Sequence, residues 1–507
     1  MSMIPDLTNI KPFIGDYTQR VDTEINDAVV SNTTGGNAGG GFARFTLTNK
    51  GFLTSSSSIL LGLKNNDIDG FLAPHLGVNQ LIHSIVLKIG AKTISEIREF
   101  SSLQGYKGLF TSNSENLERN QYINGKIYNL AEVEDYNKAE LNTKRDSKNI
   151  ILNNGLPITT TDANNFQGIR KHANTKNETI YALKLSDCLP FFSADKHFPI
   201  CLIDEQINIE IHFNPYPLNV CRVLNSTEDS AATKVRATTA SVINIDKVKL
   251  LADYVFYDDY LQSQYINENK GKSMQWNYVD IRLSQQMITA DAQNAITKNI
   301  RNVGGANLMV NKVIMALERV YSYTLGAGAT DSDKANYNKL NGYAPYDTSG
   351  RLLNKFESIR TLSPHIKDSY FNFQVRYNEK PLYPIDRDND SLLFTDIQEA
   401  EGRPFRVCKD HFSKQSEVSI NKNWCNQTHD FSGGTVGRLF YNVAMLDGRR
   451  INSEGIDVEF ENTSIDSNTY AGLTNVDSVA KNYMQYVWVE TQKYAVLNNG
   501  LVDCYFK

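Results

Sequence analysis

The amino-acid sequence predicts an all-β protein made of two large antiparallel units. Three observations carry that prediction. Period-two alternation of apolar and polar residues recurs from one end of the chain to the other, as expected of strands with one face on a core. The apolar runs are not interleaved regularly with helical patterns, which argues against a parallel α/β sheet and for sandwiches or barrels. The composition is rich in turn-formers: 53 Asn and 69 Ser plus Thr stand beside 13 Pro and 3 Trp, and Asn suits turns better than helix interiors. A chain of 507 residues holds three ordinary domains at about 150 residues each, or two large β units.

The first 41 residues read as an N-terminal arm ending in a Gly-rich joint, Gly35-Gly36-Asn37-Ala38-Gly39-Gly40-Gly41. The first unit then spans 42–258. Strands are expected at Phe42 to Thr48 and Ile59 to Lys64. In the next, Ile85, Leu87 and Ile89 run into a tight turn at Gly90-Ala91 before Lys92 to Ile94. Ile97, Phe100 and Leu103, three apart, predict a brief amphipathic helix. A long insertion at about 111–179 is poor in apolar residues. Ile207, Ile209, Ile211 and Phe213 alternate with Asn208, Glu210, His212 and Asn214, and Lys247 to Tyr257 closes the unit.

A linker helix over 259–272 follows from the polar stretch Tyr260 to Lys270. The second unit spans 273–507, with strands at Trp276 to Leu283, Met309 to Glu318, Leu439 to Met445 and Ile456 to Phe460 and an insertion at about 322–350. Phe371, Phe373, Val375 and Tyr377 alternate with polar neighbours, and a hairpin of Tyr486 to Leu497 and Leu501 to Phe506 turns at Asn499-Gly500. A faint repeat links the halves. Ser84 to Ile89, its turn, a short strand and a helix match Phe371 to Tyr377, the turn at Asn378-Glu379-Lys380, Pro381-Leu382-Tyr383 and Ser391 to Glu399.

Composition excludes several function classes. Mean hydropathy is -0.40 and the apolar runs fall far below the roughly 20 residues of a membrane helix, so no transmembrane segment is expected. With 52 basic against 57 acidic residues and a net charge of -5, no stripe neutralises many phosphates, and direct sequence-specific nucleic-acid binding is not expected. The start, Met1-Ser2-Met3-Ile4-Pro5-Asp6, has neither the basic nor the apolar region of a secretory signal, the pattern of a chain made in cytosol. Six Cys are too few for a disulfide scaffold and read as free thiols. Six Asn-x-Ser/Thr sequons occur, about the number chance predicts, and carry no argument for glycosylation.

The search for chemistry assigns no catalytic and no cofactor-binding residue. Gly35 to Gly41 and Gly304-Gly305 lack the spacing of a phosphate-binding loop. Asp386, Asp388 and Asp390 begin like a calcium loop, but Ser391 stands where Gly is needed and Ile397 where the closing Glu belongs. The one grouping with metal-like spacing is Cys408-x2-His411 followed by Cys425-x3-His429, two thiolates and two imidazoles that suit tetrahedral zinc. Chance placement of six Cys and eight His explains the same pattern, and no metal is assigned. The 26 Tyr and 23 Phe, generous even for two large β cores, point to contact surfaces.

Four stretches then carry a resemblance. They are Leu81 to Glu96; Leu183-Lys184-Leu185 to Leu189-Pro190-Phe191-Phe192 with Asn208 to Ile211; Ala252 to Tyr260; and Tyr486 to Leu501. In this order they resemble the double jelly-roll major capsid proteins of eukaryotic large DNA viruses, virophages and polinton-like viruses, over most of the chain. Tyr257-Asp258-Asp259 departs from the form found in the largest viruses and sits closer to the virophage or polinton-like members. The resemblance implies two consecutive antiparallel eight-stranded jelly-roll barrels, with long loop insertions and a few short helices. It further implies a homotrimeric, pseudo-hexagonal capsomer tiling an icosahedral shell, a place in the virion, and neighbouring capsomers, penton and minor or cement capsid proteins as partners. It implies no enzyme and no cofactor. The insertions would form outward towers and the arm would lie beneath the shell. The competing reading is a carbohydrate-binding or carbohydrate-active β-sandwich protein, which needs Trp or Tyr beside two carboxylates. A host-recognition fibre or minor vertex protein is a third, and the length and apparent duplication count against it.

Overall fold

The computed structural model describes residues 20–31, 41–65, 70–71, 76–111, 123–124, 151–152, 156–157, 178–192, 197–214, 221–222, 243–289, 296–304, 308–319, 323–325, 371–377, 380–381, 395–396, 399–400, 443–447, 456–462, 473–475 and 482–506. Strands dominate them, and every strand pair is antiparallel.

In the first half, one sheet runs Arg20–Asp27, Ile243–Phe256, Ser58–Asn65, Glu178–Lys184, with Phe52–Leu53 also pairing with Ile243–Phe256. The facing sheet runs Val29–Ser31, Phe42–Leu47, Ile207–Phe213, Ile82–Ile89, Lys92–Arg98. In the second half, one sheet runs Met274–Thr289, Asn482–Asn498, Val310–Arg319, Val443–Asp447, and Leu501–Phe506 pairs with Asn482–Asn498. Its other sheet runs Ile296–Gly304, Ile456–Asn462, Phe371–Tyr377, Lys380–Pro381. The first half lays its first strand beside its last, the second half lays its first strand beside Asn482–Asn498 of the terminal hairpin, and in the other sheets the early strands 42–47 and 296–304 pair with the late strands 207–213 and 456–462, which is jelly-roll pairing. The faint repeat is real at this level: the pair 82–89 and 92–98 occupies the same place in the first half as 371–377 and 380–381 in the second.

Local sequence explains the elements. In Ile207–Phe213 the four apolar residues are buried and Asn208, Glu210 and His212 half-buried, so the alternation fixes which face meets the core. Each buried Ile there contributes about 1.5–3 kcal/mol. Gly90, at φ 59°, makes the turn to the next strand, and Asn499 and Gly500, at φ 50° and 81°, make the terminal hairpin turn. The linker helix, Asp259–Asn269, starts where the Asp258 carboxylate accepts a hydrogen bond from the Tyr260 amide at 2.9 Å.

Two expectations change. Residues 20–31 are not a loose arm: Arg20–Asp27 pairs along its whole length with Ile243–Phe256, and Val29–Ser31 pairs with the strand at 42–47. The Gly-rich run marks a connection between paired strands, and the strand before it escaped notice because its apolar residues point outward. The helix expected from Ile97, Phe100 and Leu103 starts later than their spacing suggested. Ile97 belongs to Lys92–Arg98, which stays paired as far as Arg98; Glu99, at φ 51°, breaks the strand and Phe100–Thr111 coils. Most of both insertions lies outside the described residues. The alternating stretch at 371–377 is a strand, as expected.

Candidate functional site

The described chemistry concentrates where the two halves meet. Strand Lys92–Arg98, an edge of the first half, abuts Met274–Thr289, an edge of the second, and the core is one continuous cluster across both. Aromatic rings fill the contact. Phe191 stands edge-on to Tyr278 at 4.8 Å and to Phe198 at 5.0 Å, and Phe198 edge-on to Trp276 at 5.0 Å. Their polar tips are satisfied across the seam: Trp276 Nε1 donates to the Phe191 carbonyl at 3.0 Å and the Tyr278 hydroxyl to the Ile94 carbonyl at 3.1 Å.

Two buried carboxylates complete it. Glu490 accepts from Lys107 Nζ at 2.6 Å and lies 4.0 Å from Lys312 Nζ. Burial pushes its pKa up, but the two ammonium groups and the Lys107 hydrogen bond outweigh burial and hold it below the usual glutamate range. Asp280 accepts from Ser95 Oγ at 3.0 Å and pairs with Lys493. These groups border a polar cavity of about 330 Å³ lined by Thr93, Ser95, Glu96, Arg98, Asp280 and Lys493, among others.

A second contact ties three turns together. The Asp204 amide donates to the Gly500 carbonyl at 2.9 Å, and its carboxylate takes Lys270 of the linker at 2.9 Å. Glu205 Oε2 accepts from the Val502 amide at 2.9 Å, while its side chain lies against Gly90. A Cβ at Gly500 would run into the Asp204 side chain as far back as the Asp204 Cβ, so that position needs glycine for φ and for space, while at Gly90 it would displace the end of the Glu205 side chain and φ is the main constraint. Hydrogen bonds and an ion pair thus join the halves at these turns.

Among the described residues, the edge formed by Arg20–Asp27 and Val29–Ser31 carries no further strand. Arg20–Asp27 ends one sheet and Val29–Ser31 ends the other, and the alternation is inverted: Asp22, Glu24 and Asn26 turn inward, half-buried, while Val21 and Ile25 are 56% and 61% exposed. The inward phase is locked. Glu24 pairs with Lys50 at 2.7 Å and accepts from Thr48 Oγ1 at 3.1 Å, and Lys50 Nζ lies 5.2 Å from the centre of the Tyr254 ring. Val29 and Val30 are exposed as well, at 59% and 43%.

Cys408, His411, Cys425 and His429 lie outside the described residues, as do Asp386, Asp388 and Asp390. Among the described residues no three His, Cys, Asp or Glu gather as metal ligands, and no helix is long and apolar enough to cross a membrane. Cys188, Cys201 and Cys504 are free thiols, with Cys201 pushed up to about 12 by burial. Trp276 and Trp488 are buried at 2% and 0% exposure and offer no sugar platform. The seam carboxylates escaped the sequence reading. Asp280 had a signal: a charge on the same strand face as Trp276 and Tyr278, where an apolar residue was due.

Comparison with known proteins places this architecture. No protein-family model and no curated protein matches the chain. Among solved structures, PBCV-1 VP54, as fitted into a cryo-EM reconstruction of the virophage Sputnik, matches with TM-score 0.50 at 10% identity, covering 97% of this chain and 98% of that one. A chain of the quasi-atomic PBCV-1 virus capsid matches with TM-score 0.52 at 7% identity, covering 98% of each. The chain shares the double jelly-roll fold of these capsid proteins over nearly its whole length.

Proposed function

We propose that this chain is a major capsid protein, three copies of which form a pseudo-hexagonal capsomer of an icosahedral virus shell. The observation that carries the reading is the edge-to-edge joining of two halves with the same pairing order. Two similar β units side by side make one third of a near-sixfold ring, and a closed ring covers sheet edges that would otherwise invite uncontrolled pairing. A first unit that ends at 258 and includes the strands of 20–31, and a second at 273–507, joined by the helix of 259–272, are part of this proposal, as are the towers built from the two insertions. The role is structural, in the virion, with neighbouring capsomers, penton and minor capsid proteins as partners and synthesis in the host cytoplasm.

The solution mass of the purified chain tests it. Light scattering should give three times 57.1 kDa, with near-hexagonal particles in negative stain. A stable monomer that cleaves or binds oligosaccharide would overturn the reading.

A further inference from the structure

We propose that the polar cavity at the seam is a binding site for a small organic phosphate, gripped from both halves of the chain. The proposal stands on the geometry of the seam and does not depend on the capsid reading. Four observations lead to it.

The first is that the cavity is built from both halves. Residues of strand 92–98 form one wall, and residues 280–283 with Lys493 form the other. The first wall carries a β-bulge: Leu87 pairs with Ser95 and Lys88 with Thr93, so Ile94 has no partner in the ladder. A bulge bends its strand and re-aims the side chains beside it. Here the Ile94 carbonyl turns to the Tyr278 hydroxyl, while Thr93, Ser95 and Glu96 line the cavity.

The second is its depth. The Arg98 and Glu96 side chains at the mouth are 65% and 34% exposed, whereas those of Lys493 and Asp280 at the floor are 12% and 5% exposed. A volume of about 330 Å³ suits a small metabolite and exceeds what one or two bridging waters need.

The third is charge. The lining holds three cationic side chains, Arg98, Arg282 and Lys493, and two carboxylates, Glu96 and Asp280. Both carboxylates are engaged already. Glu96 accepts from Arg98 Nε at 2.7 Å and from Nη2 at 3.0 Å, and Asp280 accepts from Lys493 and from the Ser95 hydroxyl. The lining therefore carries one positive charge in excess, and a half-enclosed pocket of that sign favours an anion.

The fourth identifies the anion. A guanidinium has five N–H donors, and the fork on Glu96 uses two, so Arg98 is held in a fixed orientation with three more to offer a ligand. Lys493 is fixed in the same way by Asp280. Oriented cations converging from two walls match the several acceptor oxygens of a phosphate group. The volume left beyond the phosphate takes the body of a phosphate monoester. Such a ligand touches both halves at once and stabilises their contact by mass action.

Titration calorimetry of the full chain tests this, with adenosine monophosphate and inorganic phosphate as separate probes, each against sodium chloride at equal ionic strength. Adenosine monophosphate should bind one per chain and more tightly than inorganic phosphate. Arg98→Gln should weaken it roughly tenfold to a hundredfold, the loss expected for hydrogen bonds to a charged group. Arg98→Lys, which keeps the charge and loses the fork, should fall between the two. The Arg98 side chain is mostly exposed, so without ligand both variants should melt like the parent. Hydrogen exchange on the parent is an independent readout: the nucleotide should slow exchange in 92–98 and in 280–283 together. No heat beyond the chloride control overturns the proposal. Binding that survives Arg98→Gln unchanged, or that protects neither stretch, also overturns it and marks an adventitious ion only. Inorganic phosphate that binds as tightly as the nucleotide overturns the organic ligand in favour of free phosphate. None of these results alters the solution mass on which the capsid reading depends.

Discussion

Glu490 shows how a single side chain holds the halves in place. It sits on Asn482–Asn498 of the second half and takes its hydrogen bond from Lys107 on the helix of the first. Its pKa is lowered in the folded chain, so its contribution to stability is fully present above the ordinary carboxylate value and disappears as pH falls through the lowered one. The group's contribution to the melting temperature should therefore be full and constant between pH 6 and pH 8, and should be lost progressively below about pH 4.5. Glu490→Gln leaves the Lys107 ammonium without its counter-charge and should cost on the order of 3 kcal/mol at neutral pH. It should also flatten the acid limb of the profile. Thermal melts from pH 3 to pH 8 on both proteins check it; identical acid limbs would remove Glu490 from the account.

At the scale of elements, the terminal hairpin joins turn chemistry to the joint between the halves. Gly500 has φ 81° and faces the Asp204 carboxylate, so Gly500→Ala meets both a left-handed backbone and an occupied space. It should destabilise the chain by about 1–3 kcal/mol, read as a lower melting temperature, whereas Asn499→Gly next to it should be neutral within about 0.5 kcal/mol. That turn was legible because Asn-Gly between two alternating runs has a local mechanism. So were the strand at 207–213, the turn at Gly90-Ala91 and the linker helix, each specified by residues within it. The strand at 20–27 was not, since its pattern is the reverse of a core-seeking strand and its partner is more than two hundred residues away. The end of the strand at Arg98 was equally hidden, because Ile97 and Phe100 suit a helical face as well as they suit the end of a strand.

For the whole molecule, the two halves behave as one body because their contact is built like a core. Trp276, Tyr278 and Phe191 pack across it with their polar atoms satisfied, and the contacts of Lys107 with Glu490 and of Ser95 with Asp280 hold it at separate points. None of this could be read along the chain: Ser95 and Asp280 are 185 residues apart and Lys107 and Glu490 are 383 apart, so no local pattern announces either pair. The covalent linker then adds little beyond raising the local concentration of one half near the other. Gly271 is the place to test this, since a Cβ built there meets nothing within 4 Å and leaves room for a protease site. After cleavage at that site the two fragments should still elute together, with the melting temperature changed by only a few degrees. Adding Trp276→Ala should let the cleaved halves separate on a sizing column, because it removes a buried ring worth about 3–5 kcal/mol and its hydrogen bond. If the fragments part on cleavage alone, the linker and not the seam makes the two units a single tile.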